Sequence, residues 1–310
     1  MNAIEILQLT RVFGERVAVE DLTLAIPAGS VFGFLGPNGA GKTTTVRMLA
    51  ALIAPSRGSA RIAGHTLGKE NAEIRRTVGI LTETPGLYDR LSAWQNLLFF
   101  ARLYGLDGQQ AAGQVERYLR MLELWERRNE RVGGFSKGMR QKLAIARALL
   151  HEPQVVFLDE PTAGLDPQSR RMLWDIVLKL REQGKTILIT THYMDEAQIL
   201  CDRIAIMDGG QIIALDSSAG LINRLGAQAT IDCRLDGKAT SSDIRELPGV
   251  TGVRHANERF MVYTTEMQPT LEALLTYAAQ RSIPMTDLQV RTPTLEDVFL
   301  DLTGREFRPE

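Results

Sequence analysis

The feature that most constrains this chain is a glycine-rich segment between an apolar run and a helical pattern. Residues 36–43 follow the spacing G-x-x-x-x-G-K-[ST]. They come directly after the apolar run Val31–Leu35 and precede a helical pattern at 42–51. This strand–loop–helix context is what the spacing requires in order to bind phosphate. The alternative, a glycine-rich turn that matches by chance, does not explain that context.

Each part of this loop suits a phosphate ligand for a different physical reason. Glycine lets the backbone wrap closely around phosphate oxygens. A helix that begins near Lys42 points unpaired N–H groups and the positive end of its dipole at the anion. Lys42 can reach the β- and γ-phosphates, and the hydroxyl of Thr43 can bind Mg²⁺. The candidate nucleotide-binding residues of the loop are Gly36, Pro37, Asn38, Gly39, Ala40, Gly41, Lys42, Thr43 and Thr44.

Short apolar runs alternate with helical patterns through the first two hundred residues. The runs predict strands at 4–9, 17–26, Val31–Leu35, Val78–Leu81, 155–158 and 186–190. Continuous runs of this kind are typical of strands buried on both faces of a largely parallel sheet. Residues 91–130 instead repeat apolar side chains at helical spacing, which predicts an all-helical insertion.

A domain boundary is predicted between Ser217 and Gln228. The pattern beyond it reads strand, helix, strand, strand, helix, strand, which fits a split, ferredoxin-like α+β unit, and residues 294–302 predict a closing helix. The 310 residues leave room for two domains of roughly 150 residues each. We expect a first domain at 1–217, with a helical subdomain at about 88–134, and an accessory domain at 225–310.

Composition excludes a disordered or collagen-like chain and argues against nucleic-acid binding. The chain is 44% apolar and 24% charged, as globular proteins are. Its 36 basic and 37 acidic residues give a net charge of −1, so nucleic acid is not an expected partner. Two cysteines make no disulfide framework and favour a reducing compartment. The sequence contains neither an apolar run of ~18 residues, as a membrane span requires, nor a signal-peptide pattern.

Two carboxylates follow the predicted strand 155–158. Asp159 stands at the tip of a buried strand, which is a common position for a carboxylate that holds Mg²⁺ near a nucleotide. Glu160 lies one residue closer to the γ-phosphate and is the candidate general base for an attacking water. His192 follows the next predicted strand and is the candidate γ-phosphate sensor. A solvated acidic loop and a structural histidine are the alternatives.

Ser136 is a good N-cap for the helical pattern 138–150, and a capped helix alone would explain it. From the residues alone, the phosphate loop allows a kinase, a GTPase or an ATPase.

Together these motifs resemble those of the nucleotide-binding subunit of ATP-binding cassette (ABC) transporters. The phosphate loop, the segment 135–141, the strand ending at Glu160 and His192 stand in the family's order, and 161–166 resembles its D-loop. The resemblance covers residues 3–217. It implies a P-loop NTPase fold with a mostly parallel core sheet, antiparallel strands and a helical subdomain. It also implies ATP and Mg²⁺ as ligands.

The resemblance implies further roles that the spacing alone does not. In this family two subunits sandwich two ATP molecules head to tail, so Ser136 and Gly138 would complete the site of the second subunit. Phe13 stands where the family places an aromatic residue that stacks on adenine, and a core phenylalanine is the alternative. The family usually has glutamine where Glu83 stands. A carboxylate there can still bind Mg²⁺.

The resemblance also implies partners. A groove beside the helical subdomain receives a helix of a membrane subunit in this family. Tyr88, Trp94 and Phe99 could line it, although we expect Phe99 in the subdomain core. Residues 293–304 resemble the ABC-2 class, including drug-resistance exporters of the daunorubicin type.

The function that we expect is therefore ATP hydrolysis that powers a separate exporter. The partners would be an integral membrane permease and a second ATP-binding subunit, the same chain or another, at the cytoplasmic face of the membrane. Two alternatives remain. One is a soluble ATPase of the same superfamily that acts on ribosomes or DNA. The other is a small-molecule kinase or GTPase.

Overall fold

The computed structural model describes residues 1–82, 84, 86–226, 229–236, 239–256 and 259–303. These residues form two compact units, Met1–Leu215 and the part from Asp216 onward. The strands of the first unit are β1 (Asn2–Phe13), β2 (Arg16–Pro27), β3 (Val31–Leu35), β4 (Arg57–Ile62), β5 (His65–Thr66), β6 (Val78–Leu81), β7 (Val155–Asp159), β8 (Thr186–Thr191), β9 (Arg203–Asp208) and β10 (Gln211–Asp216). Its helices are α1 (Lys42–Leu49), α2 (Asn71–Thr77), α3 (Ala93–Leu103), α4 (Gly108–Met121), α5 (Lys137–Leu149), α6 (Pro167–Glu182) and α7 (Met194–Leu200).

A six-stranded sheet lies at the centre of the first unit, in the order β10-β9-β3-β8-β7-β6. The strands from β9 to β6 pair in parallel. Strands β3, β7 and β8 are buried along their whole lengths, which explains the apolar runs that they contain. Parallel strands end at a common edge, where ligands bind in such sheets. The phosphate loop and His192 follow the ends of these strands, and Asp159 is the last residue of β7.

A second, four-stranded sheet covers part of this unit in the order β2-β1-β4-β5, with antiparallel pairing. Its strands alternate buried and exposed residues because only one face packs on the core. At the end of the β1–β2 hairpin, Phe13 lies directly opposite Arg16. Strand β4 was not predicted, because Arg57–Ile62 contains few apolar residues.

The predicted helical insertion is confirmed. It consists of α3, α4 and 3₁₀ turns at Trp125–Arg127 and Val132–Gly134. A capping box begins α3: the Ser92 hydroxyl accepts from the Gln95 N–H at 3.1 Å, and the Gln95 side chain accepts from the Ser92 N–H at 3.0 Å. The apolar faces of α3 and α4 pack with α5 in one core.

The second unit has the predicted β-α-β-β-α-β order. Its elements are α8 (Ser218–Asn223), β11 (Ala229–Leu235), α9 (Ser241–Arg245), β12 (Val250–Ala256), β13 (Arg259–Thr264), α10 (Met267–Gln280), β14 (Met285–Arg291) and α11 (Leu295–Thr303). The sheet order is β12-β13-β11-β14, with antiparallel pairing. This order is that of a ferredoxin-like unit. In the part of the chain that the structure describes, no helix is both long and apolar enough to cross a membrane.

Candidate functional site

The phosphate loop connects β3 to α1 and depends on its glycines. Gly41 has φ +101, and a Cβ there would lie 2.5 Å from the Ala18 carbonyl oxygen. A Cβ on Gly36 would lie 2.2 Å from the Met207 carbonyl oxygen. Both backbones therefore approach neighbouring strands more closely than any side chain permits. No side chain caps α1, so its first N–H groups remain available to an anion.

Lys42 is buried beneath this loop. Its ammonium donates to the carbonyl oxygens of Gly36 at 2.6 Å and Pro37 at 3.2 Å. The same Nζ lies 3.2 Å from Oε1 of Glu160, with both side chains largely shielded from solvent. The ion pair therefore holds the lysine at the base of the loop, next to the residues that follow β7.

Asp159 is held by two hydroxyl groups. Thr43 Oγ1 donates to Asp159 Oδ1 at 2.9 Å, and Thr190 Oγ1 donates to the same oxygen at 2.6 Å. Burial raises the pKa of Asp159 above its usual value, although the two hydrogen bonds oppose that shift. The structure thus brings together two predicted magnesium ligands, Thr43 and Asp159, that lie far apart in sequence.

These oxygen donors fit Mg²⁺, which is usually bound by one or two protein oxygens together with phosphate and water. Among the described residues, no group of three or more His, Cys, Asp or Glu side chains converges on a point where a metal could sit. An all-protein cage is not needed for an ion of this kind. Glu83, the third predicted magnesium ligand, lies outside the described residues.

Glu160 connects Lys42 to His192. Its Oε2 lies 2.7 Å from His192 Nδ1, and its N–H donates to both the carbonyl and the hydroxyl of Thr190. Its backbone is left-handed, with φ +49, a conformation that only surrounding contacts maintain in a non-glycine residue. Burial alone would raise the Glu160 pKa, but His192 and Lys42 lower it below its usual value. The carboxylate is therefore ionised at neutral pH.

A cavity of about 500 Å³ opens above the loop. It is lined by Phe13, Arg16, Ala18, Glu160 and residues 37–44. Phe13 is 46% exposed. The guanidinium carbon of Arg11 lies 4.4 Å from the centroid of the Phe13 ring. Sequence reasoning missed Arg16 and Ala18. The signal was available for Arg16, because a two-residue turn after Phe13 places residue 16 opposite it.

Ser136 and Gly138 do not line this cavity. Ser136 Oγ accepts from the Met139 N–H at 3.3 Å and caps α5. A Cβ on Gly138 would lie 2.8 Å from Ser169 Oγ, so the start of α5 packs against the start of α6. Within one chain, the structure separates this pair from the other predicted nucleotide ligands.

The predicted aromatic groove residues divide into two sites. Tyr88 and Phe99 are 48% and 40% exposed, and their rings meet edge to face at 5.2 Å. Trp94 is instead partly buried and packs on Trp125 against the helical core. The expectation that Phe99 lies in the core is wrong, because its position on α3 points to solvent.

Comparison with known proteins identifies the family of this chain. A profile described as "ABC transporter" matches residues 19–163, and one described as "ABC transporter domain-containing protein-like, C-terminal domain" matches 229–294. The linearmycin resistance ATP-binding protein LnrL of Bacillus subtilis (strain 168) is 36% identical over 304 residues, covering 97% of this chain and 98% of that protein. The chain belongs to the ABC transporter family.

Two further similarities extend this result. The Nod factor export ATP-binding protein I of Paraburkholderia xenovorans (strain LB400) is 36% identical over 307 residues, covering 99% of this ABC chain and 98% of that protein. The dimeric post-hydrolysis structure of the ATP-binding cassette MJ0796, bound to ADP and Pi, superposes with a TM-score of 0.64 at 26% identity, covering 69% of this chain and 98% of that one. This ABC protein is thus an ATP-binding, ATP-hydrolysing subunit of the exporter kind. The kinase and GTPase alternatives are excluded.

Proposed function

We propose that this subunit works as a dimer that closes on ATP and drives export through a separate integral membrane permease. The observation that carries this proposal is the contact chain from Lys42 through Glu160 to His192, which lies at the phosphate loop beside Asp159. The names of the relatives favour a permease over ribosomes or DNA as the partner. The subunit would then lie at the cytoplasmic face of the membrane, attached peripherally through the permease.

Nucleotide binding would use the loop and Lys42. The N–H groups at the start of α1 donate hydrogen bonds to the phosphate oxygens. Lys42 leaves Glu160 and contacts the β- and γ-phosphates. The adenine ring stacks on the exposed face of Phe13. In this scheme the phosphates replace Glu160 as the partner of Lys42. Binding of ATP releases the carboxylate.

Thr43 and Asp159 would hold Mg²⁺ through a hydroxyl and a carboxylate oxygen. The ion, when bound, neutralises phosphate charge and orients the γ-phosphate. Thr190 maintains the position of Asp159 by donating to the oxygen that also accepts from Thr43.

Glu160 would act as the general base. Its ionised carboxylate accepts a proton from water as the water oxygen bonds to the γ-phosphorus, and the bond to the ADP oxygen breaks. An ionised carboxylate is an acceptor only, so His192 donates to it through Nδ1–H. The imidazolium form would also present Nε2–H to a γ-phosphate oxygen, which suits His192 to sense that group.

A second subunit would complete each site. The cavity of one chain contains no residue of α5 among those that the structure describes. The start of α5 at Ser136 and Gly138 has no acidic residue in its first turn, so the positive end of its dipole would attract an anion. We infer that it closes on the γ-phosphate held by the other subunit, and that Tyr88 and Phe99 contact the permease.

The first test is Glu160→Gln. We expect ATP binding to persist, hydrolysis to fall by about 10² or more, and a dimer to accumulate with ATP. Steady-state phosphate release and size-exclusion chromatography measure these effects. Hydrolysis at the wild-type rate would remove Glu160 from the mechanism.

The second test mixes two inactive variants, Ser136→Ala and Lys42→Ala. A heterodimer contains one site with an intact loop and an intact α5 terminus, so the mixture should regain activity that neither variant has alone. Failure to recover, when labelled subunits show that heterodimers form, would contradict a shared site.

A third test concerns the permease. Purification of the intact complex from membranes should recover a polytopic membrane protein with this chain, and the double variant Tyr88→Ala/Phe99→Ala should reduce that recovery.

A further inference from the structure

One cation in the cavity has no part in the mechanism above. Arg16 is the first residue of β2 and pairs across the hairpin with Phe13. Residues directly opposite each other on antiparallel strands have side chains on the same face. The guanidinium therefore stands at the same end of the cavity as the proposed adenine platform.

The Arg16 side chain also lies against the phosphate loop. A Cβ built on Gly39 would be 3.5 Å from an Arg16 guanidinium nitrogen. Gly39 has φ +83, so this position favours glycine for its backbone alone. The arginine is thus placed between the Phe13 ring and the loop that leads to Lys42.

Among the described residues, none forms a hydrogen bond or an ion pair with the side chain of Arg16. The neighbouring cations differ from it in this respect. Lys42 contacts two carbonyl oxygens and Glu160, and Arg11 donates to the Ala54 carbonyl at 2.8 Å. An incoming anion can therefore bind Arg16 without displacing an existing partner.

We propose that Arg16 is a nucleotide-binding residue that contacts the α-phosphate of ATP and ADP. This inference rests on the proposed nucleotide site. With the base on Phe13 and the terminal phosphates at Lys42, the α-phosphate spans the interval that Arg16 faces. A planar guanidinium pairs with phosphate oxygens through two N–H donors, which lysine cannot reproduce. Arg16 then contributes equally to the affinities for ATP and ADP, since both nucleotides carry this phosphate.

Arg16→Gln tests the inference in the full-length protein. Calorimetric titration with magnesium, using ADP and a non-hydrolysable ATP analogue, should show affinity reduced by about tenfold for both nucleotides. Arg16→Lys should recover part of the loss. Arg61→Gln is the matched control, because Arg61 is an arginine of the same sheet that lies outside the cavity and donates to the Gly64 carbonyl.

Each other outcome overturns the inference in a recognisable way. Affinities of Arg16→Gln within twofold of wild type would remove Arg16 from the site, whereas nucleotide binding by the wild type would still support the proposed function. A loss confined to the ATP analogue would assign the contact to the γ-phosphate. A loss that disappears with 2′-deoxyadenosine nucleotides would assign it to the ribose. A wild type that binds neither nucleotide would defeat the proposed function as well.

Discussion

Thr190 shows how a single hydroxyl can set the geometry of two acidic residues. Its Oγ1 donates to Asp159 at 2.6 Å and accepts from the Glu160 N–H at 3.0 Å. One side chain of β8 thereby orients both the proposed magnesium ligand and the backbone of the proposed base. Buried hydrogen bonds to a charged group are among the stronger ones, with a typical value of about 1.5–3 kcal/mol.

Thr190→Val removes this hydroxyl and keeps the shape of the side chain. We expect unfolding free energy to fall by about 1–3 kcal/mol, and ATP hydrolysis to fall more strongly than nucleotide binding, because Asp159 and Glu160 lose a shared support. Denaturant unfolding and phosphate release measure the two effects. Thr190→Ser keeps the hydroxyl and should stay close to wild type. A valine variant with unchanged turnover would contradict the assigned role.

At the scale of elements, α11 depends on one buried carboxylate. Asp297 accepts from Arg291 at 2.5 and 2.8 Å, and from the backbone and hydroxyl of Thr294 at 2.8 and 2.9 Å. Burial by itself would raise the Asp297 pKa, but these hydrogen bonds lower it overall. The folded pKa is therefore below the unfolded value of about 3.9. The stabilisation is present above that value and is lost as the pH falls through the folded pKa.

Asp297→Asn should consequently destabilise the protein by about 2 kcal/mol at pH 7 and by less as the pH falls below about 4. Denaturant unfolding at several pH values, followed with a spectroscopic probe in the second unit, measures the difference in unfolding free energy between the variant and the wild type. The matched control is Asp301→Asn on the same helix, since Asp301 is exposed and its pair with Arg254 is long, at 3.4 Å. A pH-independent difference would contradict this assignment.

The strands differ in how far their own sequences predict them. Strands β3, β7 and β8 contain apolar runs because both faces are covered, and such runs are visible in the sequence. Strand β4 has an exposed face and polar residues, and it is a strand because it pairs with β1. Tertiary pairing rather than local preference decides such a segment.

At the scale of the whole molecule, the proposed nucleotide site is built from residues of the first unit. All described residues that line the nucleotide cavity belong to Met1–Leu215. The second unit has its own apolar core. We therefore propose that the accessory domain contributes to assembly or regulation rather than to the chemistry.

A fragment ending at Ser217 should fold and bind nucleotide with wild-type affinity, because it retains both cores of the first unit. If the second unit assists dimerisation, the fragment should show a smaller dimer fraction and a lower ATPase rate at limiting protein concentration. Sedimentation and phosphate release measure these quantities. An unchanged dimer fraction and rate would remove that role, and a fragment that does not fold would contradict the independence of the first unit.

The sequence by itself determined the phosphate loop, the strands that flank it, the helical insertion and the ferredoxin-like order of the second unit. These features depend on local periodicity and on residue types, such as glycine, whose effect is local. Only the tertiary structure decided that Thr190 joins Asp159 to Glu160, that Lys42 pairs with Glu160, and that Arg16 faces the cavity. These contacts join segments that lie far apart in the chain, and they exist because β7 pairs with β8 and the β1–β2 hairpin packs beside the loop. Local patterns do not encode such pairing.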